Sequence, residues 1–212
     1  MGRFLFLKGD SGEGKTTLLF ECLKPWYPKV GGFYSQRLLN EDGMTMGFRM
    51  VPAEEEWIPA TAYKKGMTNI FIERTEHGFQ KNLQFFKTDG IKILRSSAHK
   101  ELFLLDEIGG IELFVPEFME EVLGCIDSQV PCIGVLKSHK NLEAMRTRVP
   151  TEPDPDKFLR DLEEKLVKRS SGRILTFERK KREYIQTEIM EFLRECTEKE
   201  GKETHGRKGL DL

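Results

Sequence analysis

The sequence predicts an α/β fold, a three-layer sandwich in which helices cover both faces of a mainly parallel sheet that also carries an antiparallel hairpin. The first observation is a set of three short, almost entirely apolar runs, residues 4–7, 102–105 and 132–136. Strands that are apolar on both sides need cover on both faces, which a parallel sheet between helices provides. The second observation is that segments with helical periodicity separate these runs. We therefore expect the three runs to be adjacent central strands.

A hairpin is the third observation. Residues 31–39 and 44–51 both have strand-like patterns, and Asn40-Glu41-Asp42-Gly43 between them has the Asp-Gly chemistry of a tight turn. An early hairpin departs from simple β-α-β winding. It predicts antiparallel strands beside the parallel core.

The composition of the chain indicates one globular domain. Hydrophobic residues make up 38% of the 212 residues, and the 19 glycines bring the apolar share into the range usual for globular proteins, while charged residues reach 33%. Lys and Arg number 34 against 35 Asp and Glu, so the net charge of −1 gives no global attraction to nucleic acid or to an anionic membrane. We expect a single domain over residues 1–196 and a disordered tail over 197–212, because the tail is almost entirely charged residues and glycine.

Cysteine usage and hydropathy predict a cytoplasmic protein. The four cysteines are scattered, with no C-x-x-C pair and no Cys/His cluster of zinc-site spacing, so we expect reduced thiols. No apolar run approaches the length needed to cross a bilayer, and the amino-terminal run is too short for a signal peptide.

The segment from residue 8 to residue 17 fits the pattern G-x-x-x-x-G-K-[ST]. In this pattern backbone N–H groups curl around a phosphate, and glycine permits the backbone angles and the close approach that this requires. The context agrees, since a strand-like run precedes the segment and a helical pattern follows it. We expect the nucleotide-binding residues to be Gly9, Asp10, Ser11, Gly12, Glu13, Gly14, Lys15, Thr16 and Thr17.

Two side chains of this phosphate loop are expected to take part in the chemistry. Lys15 would reach the β- and γ-phosphate oxygens of a nucleoside triphosphate, and the Thr16 hydroxyl would occupy one coordination position on Mg²⁺. The amino end of the following helix would also favour negative charge. The sequence therefore predicts a nucleoside triphosphate as ligand, Mg²⁺ as cofactor and Lys15 as a catalytic residue.

A second signal follows the apolar run of residues 102–105. Asp106 and Glu107 come directly after it, where a buried strand opens into a site. This fits a Walker B segment, in which Asp106 would hold Mg²⁺, usually through water, and Glu107 would orient and deprotonate the attacking water. The alternative is an ordinary helix-capping turn. The preceding phosphate loop favours the catalytic interpretation.

Two further segments have a functional and a structural interpretation. Ser138 or His139 follows a predicted strand at the same sheet edge and is a candidate sensor of the γ-phosphate, with a solvated loop as the alternative. Basic residues accumulate over 146–173, where Arg146 and Arg148 are the first. They indicate either a mobile lid that delivers an Arg to the triphosphate or a charged helix face, and interspersed acids favour the charged face.

The remaining elements are predicted from local patterns. Residues 79–85 are expected to form a strand, and Thr88-Asp89 to cap a helix over 90–99. Pro116 suits the first turn of the next helix. A last strand is expected over 173–177, and two further helices are expected over 156–169 and 182–196.

Two other function classes fit the same core. A small-molecule or nucleotide kinase would use Glu107 or another acid to activate an acceptor hydroxyl. Residues 52–85 and 146–173 could form an acceptor pocket and a lid. No recognisable acceptor motif is present in the sequence. A nucleic-acid module is disfavoured by the near-zero net charge and the lack of a basic aromatic pattern. The sequence assigns no protein partner.

The segment Asp106-Glu107-Ile108-Gly109-Gly110-Ile111-Glu112-Leu113, together with the phosphate loop and the hairpin, resembles the small P-loop nucleoside-triphosphatases described from thermophiles and as the cancer-related NTPase. An Asp-Glu-Ile-Gly segment followed two residues later by Glu-Leu is characteristic of that family. The resemblance implies an ASCE-type core, in which an extra strand lies between the phosphate-loop strand and the Walker B strand, and slow hydrolysis of several nucleoside triphosphates. It carries Lys15 and Thr16 over as phosphate and Mg²⁺ ligands, Asp106 as the metal-side acid and Glu107 as the catalytic carboxylate.

Overall fold

The computed structural model describes residues 3–146, 155–169 and 172–198. Nine strands of this part of the chain form one sheet. In chain order they are β1 (Phe4–Gly9), β2 (Val30–Leu39), β3 (Thr45–Pro52), β4 (Ala60–Ala62), β5 (Ile70–Thr75), β6 (Gly78–Lys81), β7 (Leu102–Ile108), β8 (Cys132–Lys137) and β9 (Gly172–Thr176). Across the sheet they follow the order β6, β5, β3, β2, β7, β8, β1, β9, and β4 also pairs with β2.

The centre of the sheet is parallel. Strands β2, β7, β8, β1 and β9 run in one direction, and β3, β5 and β6 extend the sheet antiparallel beyond β2. Strand β8 lies between β1, which precedes the phosphate loop, and β7, which carries Asp106. The predicted adjacency of the three apolar runs and the extra strand between the two motif-bearing strands are both confirmed.

Side chains of the central strands alternate between two cores. In β1, Phe4 and Phe6 belong to the core on one face, whereas Leu5 and Leu7 belong to the core on the other. All four are at most 1% exposed, and burial of each such side chain contributes about 1.5–3 kcal/mol to folding. Strands buried on both sides require helices on both sides, which accounts for the three layers.

Helices cover both faces of the sheet. They are α1 (Lys15–Leu23), α2 (Leu83–Phe85), α3 (Ile91–Ser96), α4 (Pro116–Asp127), α5 (His139–Arg146), α6 (Pro155–Val167) and α7 (Arg182–Glu198). Helices α1 and α7 pack on one face, and α2 to α6 pack on the other. None of the helices within the described ranges is long and apolar enough to cross a bilayer. The tail predicted over 197–212 lies outside those ranges, apart from its first two residues, which end α7.

The predicted hairpin is present. Strands β2 and β3 pair antiparallel, with a register shift between Leu38 and Leu39. At the tip, Asn40 Oδ1 accepts a hydrogen bond from the Met44 N–H at 2.7 Å. Gly43 has φ of 76°, a left-handed conformation that glycine adopts without strain. The turn chemistry read from the sequence therefore corresponds to the observed turn.

The prediction for residues 79–99 is wrong in two places. The strand ends at Lys81, and helical structure begins at Leu83, continues through a π turn at Phe86–Gly90 and ends with α3. Asn82 is the cap, because its side chain accepts a hydrogen bond from the Phe85 N–H at 3.1 Å. The predicted cap at Thr88 instead lies inside the helical stretch, where its hydroxyl donates to the Gln84 carbonyl at 3.1 Å.

Two short elements differ from, or are missing from, the predictions. A 3₁₀ helix, Lys24–Lys29, directly follows α1, where the sequence patterns predict no helix. Strand β4 has only three residues and pairs parallel to the end of β2. A three-residue strand is too short for a period-two pattern to be detected.

Candidate active site

The phosphate loop lies between β1 and α1, the strand-to-helix context that its sequence pattern requires. Gly12 and Gly14 have φ of 80° and 97°, in the left-handed region that side-chain-bearing residues rarely occupy. The Gly14 carbonyl accepts the first hydrogen bond of the helix, from the Leu18 N–H at 2.9 Å. The backbone of the loop thus curls back to present the amino end of α1 to the cleft.

Side chains of the loop itself hold this conformation. Glu13 Oε2 accepts a hydrogen bond from the Asp10 N–H at 3.0 Å. The Lys15 ammonium donates to the Gly9 carbonyl at 2.9 Å and to the Asp10 carbonyl at 2.6 Å. Lys15 is only 6% exposed, and burial lowers the pKa of its ammonium, an effect that the carboxylates of Glu107 and Glu13 partly offset.

Helix α5 holds the loop from the side, a contact that the sequence did not predict. The Asn141 side chain accepts a hydrogen bond from the Ser11 N–H at 3.0 Å and donates to the Gly9 carbonyl at 3.2 Å. Lys140 forms an ion pair with Asp10 at 2.5 Å. Both residues follow β8, so their position after a strand that ends at the same sheet edge was the available signal.

Thr16 and Asp106 meet although 90 residues separate them in sequence. The Thr16 hydroxyl donates to Asp106 Oδ1 at 3.0 Å. Asp106 is 1% exposed, and burial, together with the nearby charge of Glu107, raises the pKa of its carboxyl group to about 7. The pair brings two hard oxygen donors together at the mouth of the loop.

Glu107 pairs with Lys137, which the sequence analysis missed. The Lys137 ammonium donates to Glu107 Oε2 at 2.9 Å, and both side chains are mostly buried. Burial pushes the pKa of the Glu107 carboxyl up, but the charge and hydrogen bond of Lys137 outweigh it, so the pKa lies below its usual value. The same attraction outweighs burial for Lys137 and raises the pKa of its ammonium. The pair is therefore held in its ionised form.

A register shift between β7 and β8 gives Glu107 its position. Asp106 pairs with Val135 and Ile108 pairs with Leu136, so Glu107 has no partner on β8. An extra residue of this kind bends the strand and re-aims a side chain. Both carboxylates consequently line the same cleft.

Two glycines after β7 leave room for Lys137. Gly109 has φ of 111°, and a Cβ there would lie 3.1 Å from Lys137 Cβ and 2.9 Å from Leu159 Cδ1. A Cβ on Gly110 would lie 3.4 Å from Lys137 Cε. Side chains at these two positions would therefore crowd the stem of the lysine.

Glu112 fixes this glycine pair. One carboxylate oxygen, Oε1, accepts hydrogen bonds from the N–H groups of Gly109 and Gly110 at 2.6 and 2.7 Å. The residue is 5% exposed, and burial raises the pKa of its carboxyl group, with the backbone hydrogen bonds partly offsetting that effect. Glu112 therefore holds the backbone of the segment that follows β7.

Two arginines at the start of α7 and just before it lie beside the phosphate loop. Arg179 Nη2 donates to the Gly12 carbonyl at 3.3 Å. Arg182 forms an ion pair with Glu21 of α1 at 2.5 Å, and its Nη1 lies 4.0 Å from the position of a Cβ on Gly14. Positive charge therefore borders the loop on the side of α7.

The two sensor candidates bond away from Glu107. Ser138 Oγ accepts a hydrogen bond from the Asn141 N–H at 3.1 Å, and the His139 ring contacts Asp156 and Glu163 of α6. A role for either in sensing the γ-phosphate remains a prediction. Lys137, the last residue of β8 and immediately before them, lines the cleft.

The basic segment packs as a charged helix face within its described part. Three arginines form ion pairs and do not line the cleft: Arg160 with Asp156, Arg169 with Asp127 and Arg173 with Glu188. The opposite side of α6 enters the core through Leu159, Leu162 and Leu166. The side chain of Arg146 and the whole of Arg148, candidates for a lid, lie outside the described residues.

A sequence profile of the NTPase family matches residues 4–190. Nucleoside-triphosphatase THEP1 of Methanocaldococcus jannaschii is 30% identical over 146 residues, which are 65% of this chain and 78% of that protein. THEP1 of Thermotoga sp. (strain RQ2) is 30% identical over 135 residues, 63% of this chain and 73% of that protein. The cancer-related nucleoside-triphosphatase homolog of Mus musculus is 29% identical over 130 residues, 58% of this chain and 68% of that protein.

Two solved structures share the fold of this chain. The crystal structure of THEP1 from Aquifex aeolicus superposes with a TM-score of 0.57 and 20% identity, covering 90% of this chain and 98% of that one. The solution structure of a human cancer-related nucleoside triphosphatase superposes with the same TM-score and 19% identity, covering 92% of this chain and 98% of that one. These likenesses concern the fold. With the profile matching most of the sequence, the chain belongs to the NTPase family.

Proposed function

We propose that this protein is a Mg²⁺-dependent nucleoside triphosphatase that hydrolyses ATP, GTP and other nucleoside triphosphates to the diphosphate and inorganic phosphate. Family membership and the names of the relatives support the activity class. The scattered cysteines, without metal-site or redox-motif spacing, support a cytoplasmic location. A nucleoside triphosphate is the expected substrate.

The contact between Thr16 and Asp106 carries the proposal. A phosphate loop alone binds phosphate, whereas hydrolysis also requires an acidic strand end beside it. The 3.0 Å hydrogen bond joins the loop to that strand end. Glu107, Lys15 and Lys137 line the same cleft, so groups for binding and for catalysis converge at one place.

The donor set at this contact suits Mg²⁺. Mg²⁺ prefers oxygen ligands and keeps several waters, so one hydroxyl and one carboxylate beside bound phosphates are sufficient protein ligands. Thr16 and Asp106 would hold it, and when bound it would neutralise charge on the β- and γ-phosphates. Oxygens of the bound triphosphate and water molecules would supply the remaining ligands.

Glu107 is the proposed general base. Its carboxylate is kept ionised by Lys137, and it would orient a water towards the γ-phosphorus and accept the proton of that water. The water oxygen forms a bond to phosphorus, and the bond from phosphorus to the β–γ bridging oxygen breaks, leaving the diphosphate with the electron pair. Lys15 would move from the loop carbonyls to the β- and γ-phosphate oxygens as charge develops there.

The test is release of inorganic phosphate without any acceptor. The protein is incubated with ATP, GTP, CTP or UTP, with Mg²⁺ or with EDTA. Phosphate release with Mg²⁺ and its loss with EDTA are expected. Lys15→Ala should abolish release, whereas Lys24→Ala, an exposed lysine just after α1, should not. Equal release from wild type and Lys15→Ala would refute the proposal.

A further inference from the structure

The cleft continues beyond the phosphate loop, between the antiparallel strands and the π turn that precedes α3. It has a volume of about 350 Å³ in all, within the range of small-molecule sites. We call its far end the aromatic chamber, which is defined by the side chains of Phe48, Met50, Phe71, Ile72 and Phe86. The rings of Phe48 and Phe71 stack with centres 6.5 Å apart, and those of Phe71 and Phe86 meet at 5.3 Å.

The wall of the chamber is fixed by the core behind it. Met50, Phe71 and Phe86 are 2%, 9% and 1% exposed and belong to the main hydrophobic cluster. Side chains packed in this way keep their rotamers, so the chamber does not depend on a ligand for its shape. Its surface favours a flat, apolar body that can pack against aromatic rings.

Arg37 stands at the edge of the chamber. It projects from β2, and its guanidinium carbon lies 6.0 Å from the centre of the Phe48 ring. It forms no ion pair with any residue in the described part of the chain. A guanidinium is a planar fork of donors that matches a carboxylate in two parallel hydrogen bonds. The chamber therefore combines an apolar wall with one cation for an anionic group.

The second reactant of hydrolysis is a single water, which would fill only a small part of a cleft of this volume. Glu107 lines the same cleft as both the phosphate loop and the chamber. A molecule in the chamber would consequently present its atoms to the carboxylate that activates the nucleophile. Such an arrangement is suited to a second substrate larger than water.

We propose that the aromatic chamber is a second-substrate site for a small aromatic carboxylate that bears a hydroxyl group, and that this hydroxyl receives the γ-phosphoryl group. The inference rests on the proposed function, since the same nucleotide site supplies the phosphoryl group. The hydroxyl oxygen forms a bond to the γ-phosphorus, and the bond to the bridging oxygen breaks with its electron pair leaving on the diphosphate. The hydroxyl proton passes to the Glu107 carboxylate. Arg37 binds the carboxylate of the acceptor.

Product ratios test the transfer. The full chain is incubated with Mg²⁺-ATP and 4-(hydroxymethyl)benzoate or 4-hydroxyphenylacetate, and ADP and inorganic phosphate are both measured. Hydrolysis gives equal amounts, whereas transfer gives ADP in excess of phosphate by the amount of phosphorylated probe. Equal amounts with both probes would overturn the inference while leaving hydrolysis intact. Absence of phosphate release without a probe would instead contradict the proposed function.

Binding of the probe is measured separately, with Mg²⁺-ADP present. The methyl signal of Met50 should shift on addition of 4-(hydroxymethyl)benzoate. Affinity should fall about tenfold or more in Arg37→Gln, the effect of losing a charged hydrogen bond. Arg74→Gln, an exposed arginine on β5, should bind the probe and hydrolyse ATP as wild type does. The diol 1,4-benzenedimethanol has a similar shape but no carboxylate. It should therefore bind the wild type as weakly as 4-(hydroxymethyl)benzoate binds Arg37→Gln.

Two results would contradict the site, and a third would contradict the transfer. The first is equal affinity for the carboxylate and for 1,4-benzenedimethanol, which would remove the role of Arg37. The second is a full shift of the Met50 signal on addition of Mg²⁺-ADP alone, which would mean that the nucleotide occupies the chamber. Binding of the probe without any excess of ADP would overturn the transfer step.

Discussion

Lys137 donates a hydrogen bond to Glu107 over 2.9 Å and thereby joins the end of β8 to the end of β7. Each partner stabilises the charged form of the other in a partly buried site. Removing either one leaves a poorly solvated charge, which costs more than the pair contributes. Glu107, the proposed general base, is therefore held in place by the Lys137 ammonium in the same cleft.

Replacing Lys137 should slow turnover. Lys137→Met keeps the apolar stem but removes the charge that holds Glu107, so kcat should fall by about 10²-fold, the order seen when one preorganised donor is lost. Lys137→Arg keeps the positive charge and should retain part of the wild-type kcat. Lys87→Met, which breaks an exposed ion pair with Glu117, is the matched control and should have wild-type kcat. Steady-state phosphate release measures all three, and a wild-type kcat in Lys137→Met would contradict the role.

Replacing Glu107 separates catalysis from a capping role. Glu107→Gln keeps the shape and loses the base, so turnover should fall by about 10²–10⁴ while the affinity for Mg²⁺-nucleotide stays within a few fold. An amide could substitute for a carboxylate that merely capped a turn. Glu117→Gln, on the exposed start of α4, serves as the control. Near-normal turnover in Glu107→Gln would remove this residue from the mechanism.

Asp106→Asn should weaken the binding of Mg²⁺ rather than the activation of water. The substitution weakens the oxygen donor beside Thr16, so the Mg²⁺ concentration for half-maximal activity should rise by about 10–100-fold. Asp42→Asn at the hairpin tip should leave it unchanged. Titration of phosphate release with Mg²⁺ at saturating ATP provides the measurement. An unchanged Mg²⁺ midpoint would mean that Asp106 does not contribute to the metal site.

Glu112→Gln should change how stability depends on pH. The unfolded chain ionises this carboxyl near its ordinary value of 4.5, whereas the folded protein, with a raised pKa, does so at higher pH. Between those values the folded state holds the extra proton, so this residue makes stability fall as pH rises through the window. The amide oxygen can still accept from Gly109 and Gly110, and it does not ionise. The urea midpoint of Glu112→Gln should therefore rise relative to wild type as the pH increases above about 4.5, the value at which the unfolded carboxyl ionises.

Glu117→Gln is the control for this titration. The pKa of Glu117 is lowered by hydrogen bonds to its own backbone and to Lys87, so its ionisation contributes in the opposite direction. Its substitution should lose stability relative to wild type as the pH rises through the region where the unfolded carboxyl ionises. A parallel pH dependence of wild type and Glu112→Gln would show that the pKa of Glu112 is not raised.

The parts of the fold that follow from short-range patterns could be predicted. The phosphate loop needs its glycines and Lys15 within ten residues of sequence, and the central strands are apolar on both sides whatever their neighbours. The start of the helix after β6 was predicted at the wrong cap, because Asn and Thr are both preferred cap residues and local sequence does not distinguish Asn82 from Thr88. The end of the preceding strand, at Lys81, decides between them.

The contact between Lys137 and Glu107 could not be predicted from the sequence. Its distance from Glu107 depends on the register between β7 and β8, including the shift that leaves Glu107 without a partner. Nothing local to Lys137 encodes that shift. Asn141 and Lys140 depend in the same way on where α5 begins after β8.

The position of β8 also orders events during synthesis. Among the described strands, β1 pairs with β8 and β9 and with none of those made before β8. The phosphate loop therefore leaves the ribosome about 120 residues before the strand that ties it to the sheet, and domains fold as units while translation proceeds. A nascent chain that ends between residues 113 and 132 contains both nucleotide-binding motifs but lacks β8, the strand that joins β1 to β7.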